Sequence, residues 1–228
     1  MNTVKLSPSM MCADFLHLAD DLEVMADNGV ELLHIDIMDG HYVPNFTLGP
    51  DYCRALADWG KIPLDIHLMH EDVDNLGKLF LGFPGAIVAF HPETAYHPLR
   101  TLQMIRDAGA RPGIDIAPSF TVAQAEAMLP YVDLVCVMTV NPGYAGQKLI
   151  PGMLAKITEL KDLRERLGLD FEIEVDGNVS WEHIPAMIRA GADILVAGTS
   201  SLFRKGEALA DNIGRFRKLA AEIRNEGE

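Results

Sequence analysis

The chain has 228 residues, 49% of them hydrophobic and 23% charged, a balance that supports a buried core and excludes disorder. Its 19 basic and 33 acidic side chains leave a net charge of −14, which argues against nucleic acid and anionic membrane as partners. An acidic chain can still take an anion locally through backbone N–H groups, so a phosphorylated ligand survives that exclusion.

Short apolar runs with the spacing of buried strands fall at 4–9, 31–37, 63–68, 86–90, 111–116, 133–138, 171–176 and 193–198. Stretches with helical period lie between them, at 14–28, 50–59, 72–81, 98–109, 121–128, 151–167, 181–190 and 207–225. Asp14, Thr121 and Ser180 stand where N-caps belong, and Gly29, Gly109, Gly168 and Gly191 where helices should stop. The alternation predicts an α/β chain folded as one (β/α)8 TIM barrel over residues 1–228. A doubly wound open sheet is the alternative, because periodicity does not show closure. Cys12, Cys53 and Cys136 are an odd, widely spaced set without a CxxC, which suits a reducing compartment. The first residues lack a basic stretch followed by an apolar one, and no apolar run has the length of a membrane span. A cytoplasmic protein is the expectation.

A barrel of this type carries its site at the carboxyl ends of its strands. In LLHIDIMDGHYVPN, His34 and Asp36 are two apart on a strand and point into the barrel mouth, leaving Ile35 and Ile37 to face the helices. Charged groups on an inward face are costly unless paired or bound to metal. His67, at the end of PLDIHL, and Asp176, at the end of FEIEVD, project toward the same mouth. Two imidazoles and two carboxylates make a divalent-metal site, with zinc the best match and iron, manganese or cobalt as alternatives. Glycine-rich segments at 141–147 (NPGYAGQ), 176–178 (DGN) and 197–203 (AGTSSLF) fall in the loops where such barrels bind phosphate, the last as a short helix N-terminus. Apart from Lys148 just beyond the first segment, they hold no basic residue, so an anion would rest on backbone dipoles. Met38, Met69 and Met138 stand at or just past strand ends, as core filling or as an apolar lining of the site. His17, His97, His183 and His70 read as solvated and without a role.

LSPSMMCADF, HIDIMDGHYVPNFTLGP, LDIHLM, MTVNPGYAGQKLIP, EVDGN and AGTSSLF together resemble the ribulose-phosphate 3-epimerase family, in that family's order and across nearly the whole chain. The resemblance implies a (β/α)8 barrel that inverts C3 of a phosphorylated ketose, converting D-ribulose 5-phosphate to D-xylulose 5-phosphate. It implies metal ligands at His34, Asp36, His67 and Asp176, with Asp36 and Asp176 as the acid/base pair. Substrate and phosphate contacts are implied at Ser9, His67, Gly143, Tyr144, Ala145, Gly146, Gly177, Asn178, Gly198 and Thr199, and a homo-oligomer is common in the family. Ala145, Asn178 and Thr199 depart from the commonest pattern. With the segments HPET and EIEVDG, they look like the allulose-6-phosphate 3-epimerase branch, whose product would be D-fructose 6-phosphate.

The chemistry needs these residue types. Two carboxylates on opposite sides of a sugar can remove a proton beside a carbonyl and return it on the other face, with a Lewis-acidic cation compensating for their weak basicity. A Schiff-base aldolase would want an inward lysine at a strand end, and Lys5, Lys61, Lys78, Lys156, Lys161, Lys205 and Lys218 do not fit. A decarboxylase on a related barrel would want lysine where Met38 stands. A non-enzymatic sugar-phosphate sensor would have no need of the two carboxylates and a metal.

Overall fold

The computed structural model describes residues 3–226; the ends of the expected 1–228 span, residues 1–2 and 227–228, lie outside the described residues. Among the described residues nine strands are present: β1 (Lys5–Pro8), β2 (Leu33–Asp39), β3 (Phe46–Thr47), β4 (Leu64–Met69), β5 (Ile87–Phe90), β6 (Arg111–Ile116), β7 (Leu134–Met138), β8 (Glu172–Asp176) and β9 (Ile194–Ala197). Hydrogen bonding follows the order β1-β9-β8-β7-β6-β5-β4-β2-β3, parallel throughout except for the last pair. A parallel bridge between Ser9 and His34 joins the first strand to the second and closes the ring, so the fold is a (β/α)8 barrel and not an open sheet.

The outer layer is α1 (Leu18–Asp27), α2 (Pro50–Trp59), α3 (Val73–Leu76), α4 (Pro98–Asp107), α5 (Val122–Ala125), α6 (Met153–Leu167), α7 (Ile184–Ala190) and α8 (Leu209–Glu226). Strand alternation divides the apolar residues into two groups. Ile35, Ile37, Ile66, Leu68, Val135 and Val175 face outward and pack with helix residues such as Leu56, Leu102, Ile157 and Phe216. Ile87, Ala89, Leu134, Cys136 and Ile194 face inward and form a separate cluster inside the barrel. At the amino-terminal end of the strands Glu172 binds Lys5 (2.6 Å) and Arg111 (2.9 Å), tying β8, β1 and β6 together across the barrel floor.

The helix limits show where local signals decide and where tertiary contacts do. Thr121 forms the expected cap as a full capping box with Gln124, yet the helix ends at Ala125 and a separate 3-10 turn follows at Leu129–Tyr131. Asp14 does not cap α1. It accepts from the Leu16 N–H and pairs with His17, and the helix begins only at Leu18. Ser180 accepts from the His183 N–H at 3.3 Å, capping the turn that leads into α7. The expected helix at 72–81 is four residues of α3 followed by a 3-10 turn, Gly77–Phe80. The expected short helix in AGTSSLF is one turn, in which the N–H groups of Ser201, Leu202 and Phe203 converge on the Gly198 carbonyl. Strand β3 was not anticipated; it pairs antiparallel with Met38 and Asp39, and the Thr47 hydroxyl donates to the Asp36 carbonyl at 2.6 Å.

Candidate active site

The barrel brings His34, Asp36, His67 and Asp176 together, each offering one ligand atom within 4.8 Å of the others. The Asp36 Oδ1 atom lies 3.5 Å from His34 Nε2 and 3.7 Å from His67 Nδ1. Both of those nitrogens are buried without a hydrogen-bond partner. Two orphaned imidazole nitrogens converging on carboxylate oxygens is the donor set a divalent cation takes, so these residues fit a metal. The second Asp36 oxygen accepts from the Ser9 hydroxyl at 2.9 Å, which fixes the carboxylate's orientation.

The two carboxylates are biased in opposite directions. Burial pushes Asp36 up, but His34 and His67 outweigh it and hold the group far below the usual carboxylate range. Burial raises Asp176; the histidines offset this only in part, and Asp36 adds to it, so the carboxyl stays above its ordinary value. They come from β2 and β8, which are separated around the ring by β1 and β9 on one side and by β4 to β7 on the other.

Beneath this set lies a second polar layer whose residues play no part in the expected site. His34 Nδ1 donates to Asp65 Oδ2 at 2.7 Å, and Ser7 donates to the same oxygen at 3.0 Å. That bond puts the His34 proton on Nδ1 and leaves Nε2 free to ligate. Glu174, two residues before Asp176 on the same strand face, is fully buried; burial and the Asp65 charge hold its carboxyl well above the usual range. Burial likewise pushes Asp115, at 0% exposure on β6, up to about 6 against the opposing pull of His67 and His34. Asp65 and Asp115 are visible in the sequence as polar residues near strand ends, and Glu174 shares the Asp176 face by its spacing. Only barrel closure shows that all three are buried.

Above the metal set opens a cavity lined by Ser9, Met38, Met69, Met138, Gly143, Tyr144, Ala145, Gly146, Gly177, Asn178, Gly198 and Thr199 together with Asp36 and Asp176. His34 and His67, at 0% exposure, lie below its floor. No Lys or Arg lines it. Met38 and Met69 pack with Val43 and Met11 into a small apolar cluster against the site, and Met138 belongs to the inner cluster, so these side chains are at once core and lining. Asn141 and Ser200, polar residues expected at strand ends, also line the cavity; Met11, Cys12, Gln147 and Val179 do so as well and were not expected there, although they adjoin or lie within the quoted motifs. The loops are held to one another: Asn178, at φ 44, donates to the Gln147 carbonyl at 2.6 Å, and Asn45 to the Gly143 carbonyl at 2.9 Å.

The histidines set aside in the sequence divide. His17 and His97 are exposed and His183 half-buried. His70, expected to be solvated, is 5% exposed with its ring 5.6 Å from that of Phe80, because the 3-10 turn after α3 folds over it. Burial accordingly lowers its pKa.

Comparison with known proteins agrees with this geometry. The model of the Ribulose-phosphate 3 epimerase family matches residues 5–203. Ribulose-phosphate 3-epimerase 1 of Cupriavidus necator is 40% identical over 201 residues, covering 86% of this chain and 83% of that protein. Ribulose-phosphate 3-epimerase of Escherichia coli (strain K12) is 35% identical over 227 residues, covering 99% of this chain and 97% of that one. Among solved structures, KGPDC from Streptococcus mutans superposes with a TM-score of 0.68 at 14% identity, over 97% of this chain and 99% of that chain, a likeness of fold alone. A mutant tryptophan synthase alpha-subunit from Pyrococcus furiosus does so with a TM-score of 0.64 at 14% identity, over 99% and 100%. A family match over most of the length, joined to close relatives that span nearly the whole chain, places this protein in the ribulose-phosphate 3-epimerase family.

Proposed function

We propose that the protein is a metal-dependent epimerase that inverts C3 of a phosphorylated ketose, D-ribulose 5-phosphate to D-xylulose 5-phosphate, with Asp36 and Asp176 as its acid/base pair. The observation that carries this reading is the convergence of two carboxylates and two orphaned imidazole nitrogens, with ligand atoms within 4.8 Å of one another, at the floor of a cavity lined by the glycine-rich loops.

Inversion at C3 removes a proton next to a carbonyl from one face and returns one to the other. One of the two carboxylates, ionised, is the base and the other, protonated, is the acid, and the roles exchange in the reverse direction. Ser9 holds Asp36 through its second oxygen and leaves Oδ1 toward the histidines. His34 and His67, with the two carboxylates, would hold the divalent cation, zinc by donor chemistry, with iron, manganese or cobalt as alternatives. Bound there, the cation supplies Lewis acidity toward the ketone and neighbouring hydroxyl oxygens, which lets a carboxylate act on a sugar proton. Met38, Met69 and Met138 keep water from the reacting face. The backbone of residues 143–146, 177–178 and 198–199, with the Thr199 hydroxyl, would receive the phosphate and fix C3 between the carboxylates.

Asp176→Asn is expected to lower kcat by about 100-fold or more, the scale of a lost general acid or base, while circular dichroism shows a folded barrel. Activity near that of the unaltered protein would contradict the pairing. A second reading, D-allulose 6-phosphate as substrate, is favoured by one observation: Ala145, Asn178 and Thr199 all line the cavity. Comparing kcat/KM on the two sugars separates the readings.

A further inference from the structure

The reaction as described leaves Asp115 unused. It is wholly buried inside the barrel, and neither carboxylate oxygen has a hydrogen-bond partner. An apolar side chain would occupy that place without the penalty of burying an unsatisfied carboxyl. Its polar neighbours are specific. Asp115 Oδ2 lies 3.7 Å from His67 Nε2, and His91, which follows β5, places its own Nε2 at 2.9 Å from the same His67 nitrogen.

The proton positions follow from the geometry. The His67 nitrogen that faces Asp36 is Nδ1, so ligation requires a lone pair there and an N–H on Nε2. That N–H donates to His91 Nε2, with Asp115 Oδ2 behind the pair. His91 then carries its proton on Nδ1, which lies 3.8 Å from Glu93 Oε1. Glu93 in turn accepts from the Tyr42 hydroxyl at 2.8 Å, and the Tyr42 ring covers His91 at 4.8 Å between centroids. The chain of contacts runs from the exposed Glu93 and the Tyr42 hydroxyl inward through His91 to the far nitrogen of a proposed metal ligand.

We propose that His91 and Asp115 are positioning residues for the metal site: they fix the tautomer and ring orientation of His67, so that the affinity for the divalent cation is set from behind the ligand. The inference rests on the metal reading above and adds residues which that reading does not contain. His34 is oriented by a hydrogen bond to the buried Asp65 carboxylate, whereas His67 is oriented by its hydrogen bond to His91, with the Asp115 carboxylate acting by its charge from 3.7 Å. Partners of this kind are worth 10–100-fold in metal affinity when removed.

The test uses the full-length protein stripped of metal, with Zn²⁺ as the probe in competition with a chromophoric chelator, and the thermal midpoint of the metal-free protein as a second readout. Asp115→Leu is expected to weaken zinc binding by about 10-fold or more while the metal-free midpoint changes little, removal of a buried unsatisfied carboxyl offsetting the larger side chain. His91→Phe should weaken binding similarly, and His91→Gln, which keeps an acceptor, should restore part of it. A packing role would instead lower the midpoint in every variant with binding unaffected. Should Asp115→Leu not fold, Asp115→Asn provides the same comparison, with a smaller loss because an acceptor oxygen remains. Unchanged zinc affinity in the Leu variant overturns the proposal while the metal reading stands. Two zinc ions per chain, falling to one in Asp115→Leu, would make Asp115 a ligand and also overturn it. Failure of the unaltered protein to bind zinc, manganese, iron or cobalt would remove the metal reading and this inference together.

Discussion

Gly177 shows how tightly single residues are constrained beside the reacting groups. It follows Asp176 with φ 106, and a Cβ there would lie 2.6 Å from Val140 Cγ2 and 2.9 Å from the Val140 backbone nitrogen. Gly146, on the neighbouring loop after β7, also has positive φ (78), yet nothing lies within 4 Å of its missing Cβ. Gly177→Ala should therefore cost about 1–3 kcal/mol of stability and displace Asp176, with kcat falling at least about tenfold. Gly146→Ala should show the smaller stability loss and, because its backbone lines the proposed phosphate pocket, raise KM more than it lowers kcat. Denaturant titration with steady-state kinetics on the pair distinguishes them, and equal effects would contradict the role given to the Val140 contact. At this scale the sequence is most readable where spacing dictates direction: residues two apart on a strand share a face, which made His34, Asp36, His67 and Asp176 visible as a group. His70 was misread for the converse reason, since the cover it receives comes from Phe80, ten residues on in a turn that no periodicity marks.

Among the elements, the strands divide the work between their two ends. The amino-terminal ends are joined by charge, the carboxyl ends by the site. Burial pushes Glu172 up, but hydrogen bonds from Lys5 and Arg111 outweigh it and hold the carboxyl below its ordinary range. A depressed folded pKa contributes stability above the unfolded value of about 4.3 and loses it as pH falls through the folded pKa. Glu172→Gln should thus be less stable than the unaltered protein by about 1 kcal/mol near pH 7, a modest figure because the ion pairs are partly solvated. The gap should close on acidification below about pH 4, with kcat near neutrality unaffected. Chemical denaturation at a series of pH values checks it; a gap independent of pH would assign the loss to packing. The positions of the eight barrel strands were legible because each is a continuous apolar run bounded by turns. β3 was not, being two residues long and held by pairing to β2 and by the Thr47 hydroxyl. The helix at 72–81 shortened for a related reason: the apolar period continues through Gly77, but the backbone tightens there to pack Phe80 inward.

Over the whole molecule, a net charge of −14 coexists with a site proposed to take a doubly charged ester. A cavity without basic side chains resolves the apparent conflict, since backbone N–H groups bind an anion whatever the surface charge. No described helix is long and apolar enough to cross a membrane. Closure of the sheet is the property the sequence left open, because it depends on the Ser9–His34 bridge between strands whose separate patterns fit an open sheet equally well. Closure is also what gathers residues as distant as Ser9 and Asp176 around one cavity. The central claim is that two carboxylates, one on each face, move the C3 proton. It is tested most directly by running the metal-loaded protein on D-ribulose 5-phosphate in D₂O and reading label at C3 of both sugars at low conversion. Two carboxylates predict xylulose 5-phosphate carrying solvent deuterium at C3, formed while the remaining ribulose 5-phosphate is still largely protiated. Product that retains the substrate's own proton would show a single base serving both faces and would contradict the assignment of Asp36 and Asp176.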